Sequence, residues 1–416
     1  MVADTSIQSI DADEGEFPDV SDPALYQSDS WEAAFTRLRH EDPVHHFSDS
    51  MHGPYWAVTR YADIMEVELN DAVFSSSSEW GGIQIQDSGD ISSRRNFIRM
   101  DRPEHTAQRK TVAPIVAPTN LARMTDSIRQ RTGAILDDLP TGTDFDWVDR
   151  VSVPLTTMML AILFDFPFEE REKLTFWSDV GLADINAPDS PVRTEAERAV
   201  ILQEMATRFR VLFDERAAME PKFDLISMLA HSDATRNLSD AEFMGTVMLL
   251  IIGGNDTTRN SMTGSVLALH QFPEQDRLLR QDPGLVDKLV SETIRWQTPL
   301  IHMRRTANRD TELAGKQIAR GDKVVMWYVS GNFDETVFPN PSAFSLQRPN
   351  ARRHLSFGAG IHRCVGDRLA ELQLRILWEE ILRREMALDV TGAPERIYSN
   401  NVRGIRRMPV RVVSRA

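Results

Sequence analysis

The residues best suited to chemistry lie near the C-terminus, in Phe357-Gly358-Ala359-Gly360-Ile361-His362-Arg363-Cys364-Val365-Gly366. Cys364 is the only cysteine among 416 residues, which excludes an internal disulfide and any multi-cysteine zinc site. Three glycines let this loop fold tightly, so that its backbone and a single sulfur can approach a flat ligand. Beyond it, Leu369, Leu372, Ile376, Leu377 and Ile381 recur among charged residues at a helical period, so a helix is expected to begin just after the cysteine. The partial positive charge of a helix start favours a thiolate over a thiol, and a bound metal cation favours it further. A lone cysteine is more often a small buried hydrophobe. The glycines and the helix start shift the reading to a sulfur ligand.

A second anomaly is Gly253-Gly254-Asn255-Asp256-Thr257-Thr258, in the middle of a long apolar pattern. Ser239 and Glu242 have the spacing of a capping box and no proline follows until Pro273, so one helix of more than 30 residues, about 50 Å, is expected. Its stretch Leu249–Ile252 is continuously apolar, as for a helix buried on all sides. Glycine and asparagine weaken a helix interior, and an aspartate there needs a partner. A breach of local rules at such a place marks a functional site.

The elements that must hold these residues are mostly helical. From about residue 100 to 300 apolar residues recur every three or four positions, with Pro or Gly at the breaks. Tyr55–Ile64 reads as a strand and then a helix, and Thr311–Tyr328 as short strands broken at Gly315 and Gly321. The expected class is mainly α with small β-sheets (α+β). No Gly/Ser- or Pro-rich linker divides the chain, so residues 24–416 are read as one domain preceded by an acidic tail, 1–23. The tail has no Lys or Arg and no apolar core of a secretory signal, which points to a cytoplasmic protein. A formal net charge of −15 argues against nucleic acid or an anionic membrane as partner. The longest apolar runs fall far short of the roughly 20 residues of a membrane span.

The cysteine loop resembles the haem-binding loop of the cytochrome P-450 superfamily, and further motifs follow in order. Glu292-Thr293-Ile294-Arg295 is similar to the ExxR helix motif, and Phe338, Pro341, Phe344 and Arg348 to the meander. The resemblance implies a P-450 fold, a triangular helical domain with a long central helix over haem b (iron protoporphyrin IX). It implies Cys364 as the axial iron ligand, with Phe357, Gly358 and Gly366 shaping the loop. It implies a buried ion-paired cluster of Glu292, Arg295 and Arg348 with a structural role. His105 and Arg109, in an early helix segment, Arg305 in a strand after ExxR, and His362 are implied as contacts of the haem propionates, which demand cations and donors in an apolar pocket. Arg304 and Arg363 are instead read as surface charges. In the central helix, Asp256 and Thr257 take the acid and alcohol positions, with Gly253 and Gly254 leaving room for O2. The plainer reading of Thr257 is a bond back to its own helix.

Longer runs, among them 253–264, 292–307 and 360–382, resemble the bacterial alkane and fatty-acid terminal hydroxylases. That implies insertion of one oxygen atom from O2 into a terminal C–H bond of a medium-chain alkane or fatty acid. The expected pocket is Leu249, Ile252, Gly253, Leu300, Ile301, Met303 and Val402, with core packing as the plainer role of a third or more of them. Burial gives about 0.8 kcal/mol per CH₂, so terminal selectivity must come from a narrow pocket. Residues 75–100 are expected over the haem, with Arg94 and Arg95 as cations that could meet a carboxylate, against a solvated loop. The chain carries no nucleotide-binding glycine motif, so electrons are expected from a ferredoxin with its reductase. Arg352, Arg353, Arg363 and Arg368 form a basic cluster that could steer it. A monomer is expected. The alternatives are a peroxide-driven haem-thiolate hydroxylase, a terpene-like substrate, a haem-based sensor and a helical protein without cofactor.

Overall fold

A computed structural model describes residues 16–87, 95–187 and 190–415. Its axis is the helix Asp240–Gln271, 32 residues long. The capping box forms: the Ser239 hydroxyl accepts from the Glu242 amide, and the Glu242 carboxylate accepts from the Ser239 amide. The helix stops at Phe272, ahead of Pro273. Helices Val153–Phe164, Glu172–Leu182, Glu195–Ala217, Val286–Gln297 and Asp367–Arg383 pack around it. Two of the polar groups buried along it find partners: the Asn255 oxygen accepts from Thr156 at 2.8 Å, and the hydroxyls of Ser152 and Thr263 lie 2.9 Å apart.

A five-stranded sheet flanks the helices, in the order Val44–Phe47, Tyr55–Val58, Lys323–Trp327, His302–Ala307, Phe74–Ser75. Only the pairing of Tyr55–Val58 with Lys323–Trp327 is parallel. The hairpin Thr311–Leu313 to Lys316–Ile318 turns at Gly315, whose φ of +78° suits glycine, and Gly321 at +97° starts the next strand's approach. These are the breaks expected from sequence. A three-stranded sheet and a second hairpin complete the β-structure.

The acidic tail expected over 1–23 reaches the body before its end. Residues 1–15 lie outside the described residues, but Val20 and Ser21 are fully buried and the Tyr26 hydroxyl donates to the Val20 carbonyl at 2.7 Å. Among the described residues no helix is long and apolar enough to cross a membrane.

Candidate active site

The cysteine loop is closed by its own backbone. The Cys364 amide donates to the Phe357 carbonyl at 2.8 Å, and the Gly358 amide to Leu355 at 2.7 Å. Gly358 and Gly360 both have φ of +62°, and a Cβ on Gly360 would collide with the backbone oxygen of Glu68. Gly366 caps the helix Asp367–Arg383, so the sulfur stands three residues ahead of the first turn. Burial pushes the Cys364 thiol up, and the opposing pull of the Gly366 amide, Arg109 and Arg363 does not overcome it. The helix start pulls in the expected direction but does not by itself make the thiolate. The charge that would make it is that of a bound metal cation.

Beside the loop the structure gathers the four residues expected to bind carboxylates. His105 lies on helix Glu104–Val112 with its ring 4.4 Å from that of His362, centroid to centroid. Burial, then Arg109 and Arg102, holds His105 at about 4; burial, then Arg305 and His105, holds His362 at about 2. Both rings are neutral at pH 7 and offer hydrogen bonds rather than charge. A pair of carboxylates placed against them would act in the opposite direction. The Arg109 guanidinium is half-buried and donates to the Arg363 carbonyl, while Arg305 is buried and paired with Glu68 at 2.9 Å. Neither ring nitrogen of His105 has a partner, nor does Nδ1 of His362. Orphaned buried donors cost about 1–3 kcal/mol each, a cost that an acceptor at this place removes. A cavity of about 390 Å³ opens here, lined by Arg102, His105, Arg109, Lys110 and Ile361.

Gly253 is exposed although it sits mid-way along the buried central helix, and a Cβ there would meet nothing within 4 Å. Leu249 and Thr257 share its side at helical spacing, Ile252 departs about 100° from it, and all three are half-buried. The Thr257 hydroxyl donates back to the Gly253 carbonyl at 3.3 Å, a long bond that leaves its oxygen able to accept. Asp256 departs from the helix about 100° away from Thr257. Its carboxylate accepts from Ser178 at 2.5 Å and from Arg259, which also holds Asp179 at 3.1 Å. The acid and the alcohol thus neighbour each other in sequence but are engaged on different sides of the helix. Burial raises Asp179, with the Arg259 charge opposing and Asp256 adding to the rise.

The expected pocket residues divide. Leu300 and Val402 are joined by a β-bridge, and Leu300 and Met303 are half-buried. Ile301, expected in the pocket, is fully buried in the core with Trp327 and Phe333 and borders no open space. Gly181, on helix Glu172–Leu182, was not singled out by sequence. A Cβ on it would stand 2.8 Å from Met248 Sδ and 3.5 Å from Ile252 Cδ1, so this glycine lets the helix close over the Met248–Ile252 side.

Arg304, read from sequence as a surface charge, is a correction. It is 4% exposed, pairs with Asp87 at 2.7 Å and donates to the Trp80 carbonyl, fastening the segment after Phe74–Ser75 to the sheet. Arg363 is exposed as read, as are Arg352, Arg353 and Arg368. Arg94 lies outside the described residues, and Arg95 pairs with Glu104 and, at 3.8 Å, with Glu242. The remaining expected set is brought together closely. Glu292 is bound by Arg295 at 2.7 Å and by Arg348 at 2.9 Å, all three buried. Partners such as Glu68 for Arg305 and Ser76 for His362, at 2.6 Å, come from distant parts of the chain and leave no local pattern to read.

These groups fit an iron porphyrin. The cysteine loop offers a sulfur, the long helix an exposed glycine, and orphaned ring nitrogens with two guanidinium groups near the loop offer partners to two carboxylates. Residues 190–409 match the family described as Cytochrome P450. Linalool 8-monooxygenase of Pseudomonas putida is 36% identical over 408 residues, 96% of this chain and 99% of the relative. The structure of Cytochrome P450-153 from Novosphingobium aromaticivorans is 50% identical with a TM-score of 0.88, covering 94% of this chain and 98% of that one. CYP153D17 from a Sphingomonas species is 49% identical with a TM-score of 0.89, covering 95% and 99%. Likeness of this extent, over a site built for a haem, makes the chain a member of the cytochrome P450 family, a haem b monooxygenase that uses O2 and a redox partner on an apolar substrate.

Proposed function

We propose that this P450 inserts one oxygen atom into an unactivated, terminal C–H bond of a medium-chain alkane or fatty acid, with electrons from a ferredoxin and its reductase. The observation that carries the reading is the exposed Gly253 between half-buried Leu249, Ile252 and Thr257, an apolar wall with an alcohol at its edge. When bound to Cys364, the haem supplies O2 activation, and thiolate ligation favours O–O cleavage. His105, Arg109, Arg305 and His362 hold its propionates, and Phe357, Gly358 and Gly366 shape the loop beneath it. Leu249, Ile252, Leu300, Met303 and Val402 exclude water and steer a chain end toward Gly253. Thr257 holds a proton at its hydroxyl. Asp256 replenishes it from the side of Arg259 and Asp179, whose carboxylate is 42% exposed and so in reach of solvent. Thr257→Ala is expected to lower product formation about 100-fold while O2 is still consumed, as read from the ratio of product to O2.

The exposed arginines 352, 353, 363 and 368 offer an acidic ferredoxin a basic surface on a chain of net charge −15. The same acidic surface suits a cytoplasmic monomer. A second reading, a terpene-like substrate, has the likeness to linalool 8-monooxygenase in its favour. A Soret-band titration with linear alkanes, fatty acids and linalool separates the two. Tightest binding of linear chains, tightening with each CH₂, is the expected result. Saturation by linalool alone would replace the proposal with the second reading.

A further inference from the structure

Glu68, at the end of helix Tyr61–Leu69, is a carboxylate 3% exposed that no part of the reading above uses. One oxygen accepts from Arg305 at 2.9 Å and the other from the Tyr328 hydroxyl, itself fully enclosed. The same residue borders the cysteine loop. A Cβ on Gly358 would stand 3.1 Å from Glu68 Oε1, and one on Gly360 would strike the Glu68 carbonyl. Burial raises the Tyr328 phenol well above its usual range, and the Glu68 charge raises it further, so the phenol stays a donor. Arg305 gives its other terminal nitrogen to the Arg304 carbonyl at 2.9 Å.

From this geometry we infer that Glu68 is a positioning residue that orients Arg305 and holds a fixed negative charge behind the haem, lowering the tendency of the iron to accept its first electron. The inference rests on the reading of Arg305 as a propionate contact and of Cys364 as the iron ligand. Reduction adds one electron from the redox partner and turns ferric iron to ferrous, with no bond broken and no proton required. A buried anion beside the loop opposes that added negative charge, and so little of it meets water that screening is weak. It also occupies part of the Arg305 charge that would otherwise face the propionates. Both effects favour the ferric state. The consequence is an enzyme that resists reduction until something else, such as a bound substrate, tips the balance.

The test is a redox titration of purified, haem-loaded wild type, Glu68→Gln and Tyr328→Phe, each followed by its absorption spectrum. Glutamine keeps the size and the acceptor for Arg305 but removes the charge, so the ferric/ferrous equilibrium is expected to move about tenfold toward ferrous, or 59 mV upward for a one-electron couple. Tyr328→Phe leaves the charge and removes its neutral donor, so the potential is expected to fall. An unchanged potential in Glu68→Gln, or a rise in both variants, overturns the inference. If Glu68→Gln does not retain haem, the direction in Tyr328→Phe decides: a fall supports the inference, and no change or a rise overturns it. The carbonmonoxy spectrum of each reduced variant distinguishes this from failure of the underlying reading. A missing thiolate band in the wild type defeats the assignment of Cys364, whereas a normal band with unmoved potentials defeats only the role of Glu68.

Discussion

Cys364→Ser is expected to abolish monooxygenase turnover. The loop geometry survives the change, because it is fixed by the backbone bonds of Cys364 to Phe357 and of Gly358 to Leu355, and by glycines that meet Glu68. Serine is nearly isosteric and the position is enclosed, so the fold and the donors around His105 and Arg109 stay in place. What is lost is the soft sulfur whose electron density favours O–O cleavage. Product formation measured by chromatography falls to background while soluble, haem-containing protein can still be isolated. A serine variant with wild-type turnover would remove the sulfur from the mechanism.

Glu292→Gln is the second large effect, and it falls on the fold rather than the chemistry. Glu292 receives Arg295 through Nε at 2.9 Å and Nη2 at 2.7 Å, Arg348 through Nε at 2.9 Å, and the Ser345 amide at 3.1 Å. The remaining nitrogens of the two arginines donate to the carbonyls of Asn332, Pro339, Asn340 and Ala343. One carboxylate thus ties helix Val286–Gln297 to the segment that leads toward the cysteine loop. Burial lowers Arg295, with Glu292 opposing the shift, which shows how much its charge depends on that partner. Glutamine leaves two buried guanidinium groups without a counter-charge, at a cost of about 3–5 kcal/mol. Whole domains are stable by only about 5–15 kcal/mol. The expected result is a sharply lowered denaturation midpoint with loss of bound haem, read from chemical unfolding and the haem-to-protein ratio. An unfolding midpoint equal to that of the wild type would show that the cluster is replaceable.

Local signals explain what was legible. The capping box at Ser239 and Glu242, the proline at 273 and the glycines at 315 and 321 act within a few residues of themselves, and each element they predict is present. The oddity of Gly253 to Thr258 within an apolar helix likewise pointed to the site, because a buried helix tolerates such residues only for a reason. The misses are non-local. Arg304 and Arg305 are neighbours on one strand, so one side chain meets Asp87 and the other Glu68, and nothing in the two residues tells that both are buried. Ile301 was placed in the pocket from its position after the ExxR motif, but it packs fully buried in the core, which neighbours distant in sequence decide. The pull of the helix start on the Cys364 thiol was legible, but the larger weight of burial could not be read without the surrounding chain. Arg259 is the exception, since its spacing of three from Asp256 on a helix was visible and its partnership could have been anticipated.

The account depends most directly on sulfur ligation in the unmodified protein. The measurement is the absorption spectrum of the purified protein, reduced with dithionite and bubbled with carbon monoxide. Thiolate ligation by Cys364 predicts the strongly red-shifted Soret band characteristic of the family. A band at the shorter wavelength of a neutral axial ligand, in protein that is folded and active as isolated, would contradict it.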